Sequence, residues 1–297
     1  MTTPNTFSGS PLDRAGARRT DERWVSATLA DPSSRAVVVT SDGVLVTSGD
    51  DGEPRLARVP PAALPDTAEA VLLGLDDEGA ATFAVDGEAL DAAGLPAGAT
   101  PLGLRDAGAL LSQGDGGLIA HATALVNWHR RHPHCAVCGA RTEVAEAGHV
   151  RTCPSCGAMH HPRTDPVVIM VVESGDRLLL GRQARWPKGR YSALAGFVEP
   201  SETLEEAVAR EVREESGVEV RAPRYVSSQP WPFPSSLMLG FVAEHESGEP
   251  SPRDHELEDV RWFAREELEA IRAGRVDGMH MPPPIAIARQ LIDGWLG

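Results

Sequence analysis

Two clusters of side chains in this 297-residue sequence have the types and spacing to do chemistry. The first spans 196–218, from Gly196-Phe197-Val198-Glu199 to Glu214-Glu215-Ser216-Gly217-Val218. Thr203 and Glu206 form a capping-box pair, so a helix is expected to begin there, and Gly217 suits its end. With Leu204 at zero and about 100° per residue, Val208 and Val212 fall near about +40° and +80° and define an apolar stripe. Glu211 and Glu215 fall near about −20° and +20°, within or beside that stripe, and Glu214 sits at its edge near about −80°. A glutamate-rich helix is ordinarily a solvated surface, and that reading suits Glu205 and Glu206. It fails for Glu211 and Glu215, because two carboxylates turned toward a core repel each other and lose hydration. They require a cation. Arg210 offers one guanidinium and points elsewhere on the wheel, whereas hard carboxylate oxygens suit Mg²⁺ or Mn²⁺.

The second cluster holds all four cysteines, as Cys135-x-x-Cys138 and Cys153-x-x-Cys156. Two such knuckles complete a tetrahedral four-thiolate site, which leaves no open position, so one structural Zn²⁺ per chain is expected rather than a catalytic one. A redox or free-thiol role is the alternative. Gly139 and Gly157 each follow a knuckle, where the backbone often takes positive φ. His132, His134, His149, His160 and His161 lie nearby and are expected as surface or loop histidines.

The elements that must position these groups are legible from pattern. Val167–Val172 is a continuous apolar run, expected as a buried strand. Further strands are expected at 177–181, 237–243 and 260–264, and helices at 203–216, 265–273 and 284–295. Ahead of them, 36–48 reads as a hairpin turning at Ser41-Asp42-Gly43, with short strands near 69–74 and 80–85. A helix is expected over 118–131, ended by His132-Pro133. Gln229-Pro230-Trp231-Pro232-Phe233-Pro234-Ser235-Ser236 reads as a proline-stiffened extended loop. Its aromatics are either buried or form a platform for a base or nicotinamide ring. The expected fold class is α+β, with strands and a few helices in a layered sandwich. No repeat of solenoid length is evident.

Bulk properties narrow the function classes. The formal net charge is −15, which disfavours non-specific binding to phosphate backbones, although a bound metal reverses the local sign. No run of eighteen apolar residues is present, so no membrane span is expected. The first residues lack a basic region followed by an apolar stretch, so a cytoplasmic protein is expected.

Gly196, Glu202 and the run Arg210-Glu211-Val212-Arg213-Glu214-Glu215-Ser216-Gly217-Val218 match the Nudix box position by position. The sequence therefore resembles the Nudix hydrolases. That resemblance implies an α/β/α sandwich around a mixed sheet. It also implies hydrolysis of a nucleoside diphosphate linkage, with Glu211, Glu214 and Glu215 as catalytic or metal-holding groups. Arg210 and Glu202 would pair as supports, with Gly196 and Gly217 as structural glycines. The four cysteines just before the box, and Gln229 to Ser236 after it, are similar to the NADH pyrophosphatases of the NudC type. From that branch come a backbone carbonyl of Ala195 and the carboxylate of Glu256 as further ligands to Mg²⁺ or Mn²⁺. Phe197, Gln229, Pro230, Trp231, Pro232, Phe233, Pro234, Ser235, Ser236, Ala288 and Arg105 would line the substrate pocket. His161 stands where the branch often has tyrosine and would stack with less area. The implied reaction converts NADH or NAD⁺ to nicotinamide mononucleotide and AMP, in a homodimer. Removal of NAD caps from RNA 5′ ends is the second implied role. A regulator with a zinc ribbon and a non-catalytic sensor domain is the alternative of another class. The expected organisation is a flexible tail over 1–22, a β-rich N-terminal domain over 23–105 and a linking helix over 106–132. A zinc ribbon over 133–162 and a Nudix domain over 163–297 follow.

Overall fold

The computed structural model describes residues 4–65, 68–90, 95–253 and 256–297. The chain divides into two compact units. One holds Thr6–Arg163 with Pro232–Ser235, and the other holds Thr164–Trp231, Ser236–Gly297 and the first five residues.

The N-terminal unit begins with helix α1 (Glu22–Leu29), which Asp21 caps by accepting from the Trp24 N–H. Strands β1 (Arg35–Thr40) and β2 (Gly43–Ser48) form the expected hairpin. Then come β3 (Pro54–Leu56), β4 (Arg58–Val59), β5 (Val71–Leu75), β6 (Ala81–Asp86) and β7 (Thr100–Leu102). Alternation along β1 turns Ala36 and Val38 into one core with Leu72, Phe83 and Val85. Helices α2 (Leu104–Leu110) and α3 (Gln113–Arg131) follow. α3 packs on β1, β5 and β6, so the segment expected as a linker is part of this unit's core. Strands β8 (Glu143–Ala145), β9 (Val150–Thr152) and β10 (Met159–His160) make a small antiparallel sheet that carries the cysteines.

Residues 4–21 are not the loose tail expected there. Phe7 is 1% exposed and meets Phe233 edge-on with centroids 5.9 Å apart. Asp13 and Leu75 exchange backbone hydrogen bonds of 2.9 and 2.8 Å. In the other unit, the Asn5 amide donates to the Ser228 carbonyl at 2.8 Å. Residues 1–3 of the expected tail lie outside the described residues.

The C-terminal unit is built on β11 (Asp165–Glu173), β12 (Arg177–Arg182), β13 (Leu194–Phe197), β14 (Glu219–Trp231), β15 (Ser236–Ser247) and β16 (Asp259–Ala264). Its helices are α4 (Leu204–Ser216), α5 (Arg265–Arg272) and α6 (Ile287–Leu296). β11 lies parallel to β15 and antiparallel to β12 and β13. Its Val168, Met170 and Val172 face a core shared with Val208 and Val212 of α4. Ile169 and Val171 face a second core shared with Leu268 of α5 and Leu291 of α6. A strand covered on both faces has no polar side, which is why 167–172 reads as an unbroken apolar run. The result is the expected α/β/α sandwich.

The two sheets share one connectivity. In each, the first strand (β1 or β11) pairs antiparallel with the second (β2 or β12) and with a short strand (β4 or β13). It also pairs parallel with a later strand (β6 or β15), which in turn pairs antiparallel with the strand before it (β5 or β14). The sheets differ in β3, which pairs with β2 and has no counterpart in the second sheet, and between β4 and β5, where only the second sheet has a full α-helix, α4, among the described residues.

Candidate active site and metal centres

α4 starts with both halves of the capping box. The Glu206 N–H donates to Thr203 Oγ1 at 3.2 Å, and the Thr203 N–H donates to Glu206 Oε2 at 2.8 Å, an arrangement that stabilises a helix start by about 1 kcal/mol. Gly217 ends the helix at φ 72°, a left-handed conformation in which a β-carbon is strained. Val208 and Val212 are fully buried against the sheet. That anchoring fixes the helix rotation, and the rotation determines where the carboxylates stand. Glu215 is 3% exposed, the Glu211 side chain is 13% exposed, and Glu214 is 52% exposed. The inward turn of Glu211 and Glu215 thus follows from the apolar stripe.

Arg210 joins the carboxylates. Its Nε and Nη2 donate to the two oxygens of Glu202 at 2.7 and 2.8 Å, and its Nη1 donates to Glu211 at 2.8 Å and Glu214 at 3.0 Å. Nη2 also donates to the Phe197 carbonyl at 2.9 Å. The sequence reading that Arg210 points elsewhere is therefore corrected. The wheel locates its Cβ, and three methylenes carry the guanidinium back across the helix face. This clamp holds the Glu202 carboxyl down to about 2 through hydrogen bonding from Arg210. Burial pushes Glu211 upward, the Arg210 hydrogen bond opposes that, and the carboxylates of Glu214 and Glu256 add to the rise. Glu256 itself is exposed in the chain past β15, and its charge reaches Glu211.

Gly196 completes the cradle. It lies in β13, opposite Val168 of β11, and a β-carbon there would overlap the Glu211 carboxyl carbon and both its oxygens. Ala195 precedes it, half-buried, and Phe197 follows it, 60% exposed.

The remaining candidates scatter more than expected. Ser228–Trp231 is not loop but the end of β14, and Ser236 opens β15, so only Pro232–Ser235 forms a turn. Gln229 is 1% exposed. Its amide donates to the Ile285 carbonyl and accepts from the Ile287 N–H, each at 2.8 Å, so it anchors the start of α6 instead of lining an open pocket. Ala288 is 2% exposed within the second core, again inside the packing. Pro230 and Trp231 are half-buried at the end of β14. In the N-terminal unit, the Arg105 guanidinium sits 4.2 Å from the centre of the Phe233 ring. Pro232 is buried, and Pro234 and Ser235 complete the turn. His161 is exposed just after β10.

The four cysteine sulfurs converge within 4.8 Å of one another, with Cys135–Cys156 at 3.6 Å and Cys138–Cys153 at 3.5 Å. Tetrahedral Zn–S bonds of about 2.3 Å would put the sulfurs about 3.8 Å apart, so the cage fits zinc. Gly139 and Gly157 take φ of 79° and 75°. His160 was expected as a bystander, but its Nε2 lies 3.3 Å from the Cys135 sulfur, and His149 Nε2 lies 2.7 Å from the Leu72 carbonyl. Neither contact leaves a trace in residue spacing.

Three family models match the chain in order. An "NADH pyrophosphatase-like rudimentary NUDIX domain" covers residues 33–128, an "NADH pyrophosphatase zinc ribbon domain" covers 130–160, and a "NUDIX domain" covers 162–280. The first accounts for the strand connectivity repeated in the N-terminal sheet. Over 197 residues the chain is 47% identical to "NAD-capped RNA hydrolase NUDT12" of Macaca fascicularis, covering 63% of this chain and 43% of that one. Over 179 residues it is 45% identical to "NAD-capped RNA hydrolase NudC" of Stutzerimonas stutzeri, covering 60% and 61%. The chain thus spans less than two thirds of the length of these relatives. Over 300 residues it is 39% identical to "NAD-capped RNA hydrolase NudC" of Mycobacterium bovis, covering 95% and 92%. No helix among the described residues is long and apolar enough to cross a membrane. The ordered domain matches and the near full-length similarity lead to one conclusion: the chain belongs to the NADH pyrophosphatase (NudC-type) family of Nudix hydrolases.

Proposed function

We propose that this chain hydrolyses the pyrophosphate linkage of NADH or NAD⁺, giving nicotinamide mononucleotide and AMP. The observation that carries the reading is Glu211, seated against the bare backbone of Gly196 and sharing Arg210 with Glu214 of α4 and with Glu202. Glu211, Glu214 and Glu215, with Glu256 and the Ala195 carbonyl, would hold Mg²⁺ or Mn²⁺. The donor set fits such an ion in kind, since carboxylates are hard oxygen donors and Arg210 is shared among Glu202, Glu211 and Glu214. When bound, the metal supplies acidity to a water molecule and neutralises the diphosphate.

The chain's own groups do the rest. A glutamate of α4 accepts the proton of the attacking water, and carboxylates this close titrate as a set. Arg210 and Glu202 fix the segment between β13 and α4, so the carboxylates are held before substrate arrives. The exposed Phe197 ring offers a stacking face, and the turn at Pro232–Ser235 offers another. Gln229 and Ala288 act from within the packing, by holding α6. Arg105 steadies Phe233, and His161 offers a smaller stacking surface. A homodimer and a cytoplasmic setting belong to the same reading.

A second reading is removal of NAD caps from RNA. The names of the three relatives favour it. The reading as a regulator with a silent sensor domain is disfavoured by the complete set of box glutamates. Product analysis after incubation with NADH, ADP-ribose and diadenosine compounds, with Mg²⁺ or Mn²⁺, tests the proposal. Nicotinamide mononucleotide and AMP from NADH are expected, and an intact dinucleotide would overturn it. Comparing kcat/KM for NADH with that for a short capped RNA ranks the two substrates.

A further inference from the structure

The N-terminal unit contains a cavity of about 470 Å³, within the range of roughly 300–1,000 Å³ usual for small-molecule sites. One wall is a single face of α3, where Thr123, Asn127 and Arg131 stand one turn apart. Asp42, from the turn between β1 and β2, and Phe233 with its flanking prolines form further walls.

Several features suit this cavity to a ligand. Arg131 is exposed and meets no carboxylate or carbonyl among the described residues, whereas Arg130 beside it is tied to Asp86 and to the Val39 carbonyl. Thr123 is 7% exposed, and its hydroxyl has no hydrogen-bond partner among the described residues. Phe233 is braced by the Arg105 guanidinium and by the edge of Phe7, so its ring is a fixed wall. A smaller cavity of about 70 Å³ shares Asn127 and Arg131 and adds Arg163, which puts a second cation at the same rim.

We propose that this cavity binds a nucleoside 5′-monophosphate group, with Arg131 on the phosphate and Phe233 beside the base. A guanidinium fork matches phosphate oxygens in pairs. An aromatic and proline surface accepts the flat face of any base. The Asn127 amide offers the donor and acceptor that fit the N6/N7 edge of adenine, and Asp42 can accept from ribose hydroxyls. The end of α3 carries partial negative charge, so the phosphate depends on the arginine side chain and binding should weaken with salt. The ligand so described is a free mononucleotide. The site rests on none of the α4 glutamates and does not depend on the dinucleotide reading.

The test is a calorimetric titration of the zinc-loaded full chain with AMP, without Mg²⁺ or Mn²⁺, so that failure of hydrolysis and failure of this site stay distinct. Wild type is expected to bind AMP. Arg131→Ala should weaken binding at least tenfold, and Asn127→Ala severalfold, more for AMP than for uridine monophosphate. Glu215→Gln should leave AMP affinity unchanged, and melting curves should match throughout. Absence of AMP binding overturns the proposal. So does binding that Glu215→Gln abolishes and Arg131→Ala leaves intact. NADH kinetics of Arg131→Ala complete the test: an unchanged KM with AMP binding lost is expected, and a raised KM would overturn a free-mononucleotide site.

Discussion

Replacing Gly196 with alanine isolates the geometry of the carboxylate cradle from the stability of the fold. A β-carbon at this position overlaps the Glu211 carboxyl, where even 3.0 Å is a distance real β-carbons essentially never cross. To reach an ordinary contact near 3.4 Å, the carboxyl must retreat by more than about 1 Å. The colliding group is the far end of a flexible side chain, so the backbone has no need to move. Gly196 is not among the positive-φ glycines, and alanine at a compatible site restrains the unfolded chain by about 0.4–1 kcal/mol. Thermal stability should therefore stay near wild type. Chemistry should not. Metal–ligand distances tolerate about 0.2 Å, and a misplacement of about 1 Å can cost about 100-fold. That factor corresponds to about 2.7 kcal/mol of barrier. The assay is AMP release from NADH with saturating Mn²⁺, alongside a melting curve. Activity within threefold of wild type, at an unchanged melting temperature, would refute the role given to this cradle.

Three further outcomes follow from the same geometry. Glu215→Gln should lower kcat about a thousandfold, or about 4 kcal/mol, with zinc content and melting temperature unchanged; near-normal turnover would remove Glu215 from the site. Cys138→Ser should release zinc and destabilise the chain by about 2 kcal/mol or more, read as a lowered melting temperature. Activity per folded molecule should change less, and equal stability without zinc would contradict the structural role. Because the fold holds Glu202 at about 2 instead of 4.5, its pair with Arg210 stabilises above about pH 4.5 and fades as pH falls toward 2. The stability gap between wild type and Glu202→Gln in urea titrations should thus be widest near neutrality and close in acid. A gap that widened in acid would reverse the sign of this argument.

Local rules carried the sequence reading where the structure obeys them. The capping box of α4, the knuckle glycines and the unbroken apolar run of β11 each depend on neighbours within one element, so all are legible in one dimension. Arg210 marks the first limit: a wheel gives the direction of Cβ and not the reach of a long side chain. The proline-rich segment marks a second. Pro230 reads as a loop residue, yet it sits in β14, whose only partner among the described residues is β15. The other edge is unpaired, and there a missing N–H costs little. Phe7 is a lone aromatic in a polar stretch, with no period to reveal that it packs on Phe233. Ala288 and Gln229 show the reverse case, since both stand in the expected region while their side chains face the packing. The repeated sheet connectivity left no repeated residues to read, because strand order depends on backbone pairing and many apolar sequences satisfy it.

The two sheets with one connectivity bear on how this architecture can change. All that separates them at the decisive place is what the chain does between its short strand and the next long one, β4 to β5 in one and β13 to β14 in the other. In the first sheet that span carries no glutamate helix among the described residues, and the strand frame still has its buried core. The frame is therefore indifferent to the chemistry, and the loop with its helix behaves as a removable cassette. Mutation could erase such a cassette without unfolding the sheet beneath it. Grafting 198–218 between β4 and β5 would ask whether the bare frame can still present carboxylates to a metal.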